Sequence, residues 1–142
     1  MHLNWQYILI HHSLTKDSKT VSWQAIRRFH TNERGWRDIG YHFGIELIND
    51  EYEILCGRPL DMPGAHCRES GMNRKAIGIC CVGNYDEEEP ETEMLLRLAS
   101  LCRWLMRTYE IPKGNVLGHR DFAEYKSCPG KMFDLNKLRE FL

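Results

Sequence analysis

No Cys-x-x-Cys pair occurs among the six cysteines, Cys56, Cys67, Cys80, Cys81, Cys102 and Cys128. They are too sparse for a disulfide scaffold, and most read as buried thiols. An excess of charge is missing as well. With 19 Lys and Arg against 20 Asp and Glu, the formal net charge is −1, so nothing points to nucleic acid or an anionic membrane. No apolar run approaches the ~20 residues of a membrane span, so no membrane insertion is expected. Met1-His2-Leu3-Asn4-Trp5-Gln6 carries no basic region, and the apolar run Tyr7–Ile10 is too short for the core of a secretory signal. The chain is therefore expected to be made and folded in the cytoplasm. Repeats, low-complexity tracts and linkers are also lacking. The whole length, 1–142, reads as one domain and as a monomer, large enough to bury a core without covalent staples.

What is present is an interspersed series of strand and helix patterns. Tyr7-Ile8-Leu9-Ile10-His11-His12 is an apolar run of strand length ending in two histidines. Side chains alternate along a strand, so His11 and His12 cannot both face one site. Leu14–Thr20 reads as a loop. Ser22 is placed as an N-cap for a helix in which Trp23, Ile26, Arg27 and His30 share a face, with Gly35 at or beyond its end. Phe43–Cys56 reads as an antiparallel hairpin turning at Asn49-Asp50-Glu51. Pro63–Arg74 reads as a loop.

Ala76–Val82 is nearly continuous apolar sequence, the signature of a central strand, and Gly78 within it marks a close approach to the backbone. Adjacent Cys80 and Cys81 must point to opposite faces. Glu91–Glu110 is the clearest helix, with Leu95, Leu98, Cys102, Leu105, Met106 and Tyr109 on one stripe and Pro90 suited to its first turn. Val116-Leu117 is a short strand, and Asp134–Leu142 is a terminal helix capped by Asp134. The series predicts an α/β fold with a central mixed β-sheet flanked by helices.

The chemistry concentrates in Gly118–Gly130, where His119 and Cys128 offer the nitrogen and sulfur ligands that zinc favours. Among the seven histidines, His11 stands at a strand end, His119 just after a short strand, and His66 in a Gly-Pro loop. Sites of α/β sheets are built at such places. His11, His119 and Cys128 form a candidate three-ligand site whose fourth tetrahedral position stays open to water, as catalytic zinc requires. The spacing alone does not define it. Lys126 by itself would be a solvated loop lysine, Tyr41 and His42 core or rim aromatics, and Cys67 a loop thiol.

These residues carry a resemblance. The sequence is similar to the zinc-dependent N-acetylmuramoyl-L-alanine amidases found as phage amidase lysozymes and in peptidoglycan recognition proteins. The likeness covers nearly the whole chain: Ile10-His11-His12-Ser13, Ile39-Gly40-Tyr41-His42-Phe43, Gly57-Arg58, Gly64-Ala65-His66 with Asn73, Ile77-Gly78-Ile79 with Val82-Gly83-Asn84, Gly118-His119-Arg120-Asp121 and Lys126-Ser127-Cys128-Pro129-Gly130. It implies that His11, His119 and Cys128 ligate Zn2+, and that Tyr41 and Lys126 are catalytic. It further implies that His66 lies on the wall of a cleft for peptidoglycan or a muropeptide, with Arg58 and Asn73 as further substrate-binding positions. Arg68 and Arg74 are alternatives to Arg58 for pairing with stem-peptide carboxylates.

The activity implied is hydrolysis of the amide between N-acetylmuramic acid and L-alanine. Two other readings remain at this stage. One is a peptidoglycan-binding module of the same fold without catalysis, in which the position of Cys128 is typically not Cys. The other is a structural zinc site, which would need a fourth protein ligand. The intact substrate lies outside the cytoplasm: a released phage endolysin fits, as does a prophage-encoded enzyme, whereas a recycling enzyme acting on cytosolic fragments usually has Asp where Cys128 stands.

Overall fold

A computed structural model describes residues 3–14 and 22–142. The strands are β1 (Tyr7–His12), β2 (Phe43–Ile48), β3 (Glu51–Cys56), β4 (Ala76–Cys81) and β5 (Val116–Gly118); the α-helices are α1 (Trp23–Arg28), α2 (Thr92–Tyr109) and α3 (Leu135–Arg139). Every residue of β4 is buried, a state open only to a strand covered on both faces. It takes the centre of a five-stranded sheet of order β3-β2-β4-β1-β5. β1 and β2 pair with β4 in parallel, β5 pairs with β1 in parallel, and β3 returns antiparallel to β2. The mixed sheet anticipated from the sequence is therefore present.

The hairpin turns where the sequence places it. Asn49 and Asp50 have φ of 50° and 68°, and left-handed backbone at both central residues is the type I′ turn that matches strand twist. Asn and Asp adopt that region more readily than other non-glycine residues.

Alternation along β1 and β4 divides the molecule into two faces. Ile8, Ile10, Ile77, Ile79 and Cys81 join a core with Leu98, Cys102 and Leu105 of α2 and Leu135 and Leu138 of α3. Cys80 points the other way, into a cluster with Trp23, Ile26 and Ile39. Leu9 packs with Cys67, Met72 and Ala76 on that second face. The α2 side carries the larger core, and the α1 side leaves room for a site. All six cysteines are free thiols.

Some boundaries differ from the sequence expectations. Ser22 caps α1 by accepting from the Ala25 N–H, but beyond Arg28 the chain widens into a π turn over Phe29–Glu33. The Thr31 hydroxyl bonds the Arg27 carbonyl there at 2.9 Å, a local competitor of regular helix. The loop after Pro63 contains 3-10 turns over Glu69–Arg74, kinked at Ser70 and Gly71, both with positive φ. Pro90 precedes the Glu91 N-cap of α2 instead of lying inside the helix. The terminal helix is shorter than Asp134–Leu142, although Asp134 caps it as anticipated. The loop expected over Leu14–Thr20 lies, beyond Leu14, outside the described residues.

His42 is a structural histidine. Its Nδ1 accepts the Gly78 N–H at 3.1 Å, so its Nε2–H donates to the Met62 carbonyl at 2.9 Å. Burial lowers its pKa to about 4. An unfolded histidine titrates near 6.5, so between those two values the unfolded chain holds a proton that the folded chain lacks. We expect stability to fall as pH drops from about 6.5 toward 4, with His42 contributing on the order of 3 kcal/mol. Urea unfolding midpoints across that window should show the loss, and His42→Gln should flatten the slope.

Candidate metal centre

Strand register brings the two candidate histidine ligands together. Ile10 of β1 lies opposite Gly118 of β5, so the next residues, His11 and His119, leave the sheet side by side. Their ring centroids are 4.9 Å apart. His11 faces the α1 side of the sheet, where Tyr41 (5.2 Å between centroids) and His66 (4.9 Å) surround it. His12 faces the other way, accepting the Tyr85 N–H on Nδ1 at 3.1 Å and stacking on the Tyr85 ring. Only the His11 ring turns toward the cluster, as alternation requires, while the His12 N–H donates to Cys128 Sγ at 3.4 Å.

Cys128 arrives on the loop after β5, and that loop is clamped. The Arg120 guanidinium donates to the carbonyls of Gly130 at 2.6 Å and Phe133 at 2.7 Å, and the Arg120 N–H donates to the Cys128 carbonyl at 2.9 Å. Asp86 accepts from the Ser127 hydroxyl at 3.1 Å and from the Lys131 N–H at 2.8 Å. Gly118 lets the loop approach, because a Cβ there would lie 2.7 Å from Pro129 Cδ. Gly130 has φ of 131°, a conformation that side chains rarely adopt.

The ligand atoms of His11, His119 and Cys128 all lie within 4.8 Å of one another. Cys128 Sγ stands 3.5 Å from His11 Nδ1. A tetrahedral zinc ion with ordinary Zn–S and Zn–N bonds holds sulfur and nitrogen about 3.5 Å apart, so the donor set and the spacing fit that ion. Burial holds the His11 pKa well below its ordinary value, with His66, His119 and His12 adding to the effect. Burial also pushes the Cys128 thiol up to about 12, against the His12 N–H, Lys126 and Arg120, which favour the thiolate. Without metal the cluster is thus neutral, and a divalent ion must displace the thiol proton. A second group within the same distance limit, Cys67, Glu69 and His119, shares one histidine with the first.

Two adjoining cavities open on this cluster. One, about 330 Å³, is lined by His11, His119 and Cys128 together with Tyr41, His30 and Lys126. The other, about 390 Å³, runs along Arg34, Trp36, His66, Arg68, Tyr125 and Lys126. Lys126 is exposed and borders both. Burial raises the Tyr41 pKa well above its usual value, helped by Cys80 and Cys128, so the hydroxyl keeps its proton.

The remaining anticipated residues divide. His66 borders the groove, but both its nitrogens are engaged, with His11 at 2.9 Å and the Ala76 carbonyl at 3.1 Å. The close approach that Gly78 foretold is this ring: a Cβ at Gly78 would lie 2.5 Å from His66 Cδ2. Asn73 lines the larger cavity while its Oδ1 accepts from the N–H groups of His66 and Cys67 at 2.7 and 2.8 Å. Arg58 is not brought to the groove. Its guanidinium donates to the carbonyls of Ile39 at 2.9 Å and Pro63 at 3.0 Å, which ties the segment before β2 to the loop after β3. Arg74 lines neither cavity, whereas Arg68 does.

Sequence reasoning missed Arg34, whose guanidinium lies 5.3 Å from the ring centroids of both Phe29 and Trp36. The signal was an arginine flanked by aromatics two and five residues away.

The model of the N-acetylmuramoyl-L-alanine amidase family matches residues 1–131. An endolysin of Enterobacteria phage K11 is 35% identical over 133 residues, covering 90% of this chain and 81% of that protein. Among solved structures, the N-acetylmuramoyl-L-alanine amidase LysC from Clostridium intestinale URNW superposes with a TM-score of 0.83 at 32% identity, over 97% of this chain and 85% of that one. A Drosophila PGRP-LB variant in complex with tracheal cytotoxin matches with a TM-score of 0.75 at 31% identity, over 94% and 80% of the two chains.

The clamp on the Cys128 loop is testable apart from any chemistry. Arg120→Ala leaves the carbonyls of Gly130 and Phe133 without their charged donor, and a loss of about 2 kcal/mol in urea unfolding is expected. Amide hydrogen exchange should accelerate over residues 127–133.

Proposed function

The chain belongs to the N-acetylmuramoyl-L-alanine amidase family, and from that premise we propose that His11, His119 and Cys128 hold a single zinc ion at the end of a groove that takes a muropeptide strand. The reaction is hydrolysis of the amide between N-acetylmuramic acid and L-alanine in peptidoglycan. One observation carries the zinc assignment: two nitrogens and a sulfur converge within 4.8 Å, with a sulfur–nitrogen separation of 3.5 Å, at the floor of an open cavity. Zinc bound there would act as a Lewis acid and lower the pKa of a water toward neutrality.

The chain's own residues do the rest. Lys126, which borders both cavities, brings an ammonium to the oxygen on which charge develops as the amide carbon becomes tetrahedral. Tyr41, kept protonated by burial and beside His11, donates a hydrogen bond to the same region. Arg34, held by two aromatic rings, and Arg68 present guanidinium groups to the carboxylates of a stem peptide. His66 contributes ring surface to the cleft wall, since its nitrogens are occupied. Asn73 shapes the larger cavity by holding the backbone of His66 and Cys67. The domain acts as one unit over 1–142 and as a monomer. Its substrate is the cell wall, reached by release as in phage endolysins. None of the described helices is long and apolar enough to cross a membrane.

Mass spectrometry of the products from a defined muropeptide tests the bond cleaved: free muramic acid lactyl carboxylate and an L-alanine amino terminus are expected, and any other cut overturns the assignment. Cys128→Ser should lose zinc and turnover together. Lys126→Ala should keep stoichiometric zinc while turnover falls about 10²–10³-fold, the range for removing one oxyanion donor.

A further inference from the structure

The hydrogen-bond partners of the two ligand histidines dictate which nitrogen each can offer a metal. The Ala76 carbonyl can only accept, so His66, 3.1 Å away through Nε2, carries its hydrogen there. The Nδ1 of that neutral ring is then a bare acceptor. It faces His11 Nε2 at 2.9 Å, which must therefore carry the His11 hydrogen. The His11 lone pair is left on Nδ1, the atom 3.5 Å from Cys128 Sγ.

A second chain of partners does the same for His119. Its Nε2 lies 3.4 Å from Glu69 Oε1, and the Tyr125 hydroxyl donates to that same oxygen at 3.3 Å. A carboxylate takes the hydrogen on Nε2 and leaves the lone pair on Nδ1. Glu69 belongs to the 3-10 segment after the Asn73-pinned loop, and the Cys67 thiol leans on the Glu69 carbonyl at 3.9 Å. His66 and Glu69 therefore stand on one loop, each behind a different ligand ring.

We propose that this loop is the orienting device of the metal centre: His66, with the Ala76 carbonyl, and Glu69, with Tyr125, are positioning residues that lock His11 and His119 as Nε2–H tautomers and turn both Nδ1 lone pairs toward the metal. The proposal rests on the zinc-site reading above. It differs from that reading in being visible in the zinc-free protein. Partners of this kind hold the ring of a ligand histidine in place and raise its basicity, and their loss typically costs 10–100-fold in metal affinity.

Long-range ¹H–¹⁵N correlation spectra of zinc-free protein near neutral pH read ring tautomers directly. Both His11 and His119 are expected as Nε2–H; either ring as Nδ1–H, or as an averaged mixture, overturns the proposal. Glu69→Ala should convert the His119 pattern to a mixture, leave His11 unchanged, and weaken zinc binding about 10–100-fold in a chelator competition. Glu69→Gln, which retains the accepting oxygen, should restore most of that affinity and the native His119 pattern. Tyr125→Phe, at an exposed position, should give a smaller loss of the same kind. Circular dichroism establishes that each variant is folded. Unchanged affinity in Glu69→Ala would refute the role of Glu69, and so would two zinc ions in the native chain with one lost in that variant, since Cys67, Glu69 and His119 would then be ligands themselves. If Cys128→Ser keeps its zinc while the tautomers are as expected, the zinc-site reading fails and the ring-locking stands.

Discussion

The site depends on the parallel pairing of β1 with β5. That register sets Ile10 against Gly118, and the residues that follow, His11 and His119, emerge together at the end of the sheet. The pairing is three residues long, and it is held by what surrounds it. Val116 is fully buried in the main core, Arg139 of α3 donates to its carbonyl at 3.0 Å, and the Gly118 N–H is taken by Asp121. The same glycine gives Pro129 the space that brings Cys128 within reach. One short ladder thus sets the positions of all three converging donors.

Around these donors lies a cluster of neutral imidazoles. His11, His66 and His42 are buried, and each has its pKa driven down chiefly by burial, His66 to about 3. His30, at the groove edge, is lowered to about 4 in the same way. The fold removes these rings from water while giving them mostly carbonyls, N–H groups and one another as partners, so a proton on any of them has little to stabilise it. The rings themselves are neutral and can offer lone pairs to a cation, while Lys126 and Arg34 border the same cavity, Lys126 favouring the thiolate form of Cys128 and both favouring an anionic substrate. Where the metal binds only the folded chain, its binding free energy adds to folding stability.

Much of this was legible in the residues. Period-two alternation correctly separated His11 from His12 and Cys80 from Cys81, because a strand allows no other arrangement. Asn49-Asp50 announced its turn, and the stripe of α2 announced its buried face. Gly78 announced a close neighbour, though only the fold reveals it to be His66. The grouping of His11 with His119 and Cys128 was suggested by their places at strand ends and by their donor types and was reinforced by resemblance, while the register that brings them together, between strands more than a hundred residues apart, is encoded by no local pattern. Arg58 illustrates the opposite limit. A basic residue in a recognisable motif suggests a carboxylate partner, yet here its guanidinium binds backbone carbonyls. Arg120, Asp86 and Glu69 act between loops, where neither periodicity nor composition carries a signal.

The proposed centre is mononuclear, with one thiolate, two imidazoles and an open position. Zinc K-edge X-ray absorption of the stoichiometrically loaded protein tests it directly. A single sulfur at about 2.3 Å is expected, with the remaining nitrogen and oxygen scatterers at about 2.0–2.1 Å, in a four-coordinate shell. A shell without sulfur, or one with two sulfurs, would contradict it.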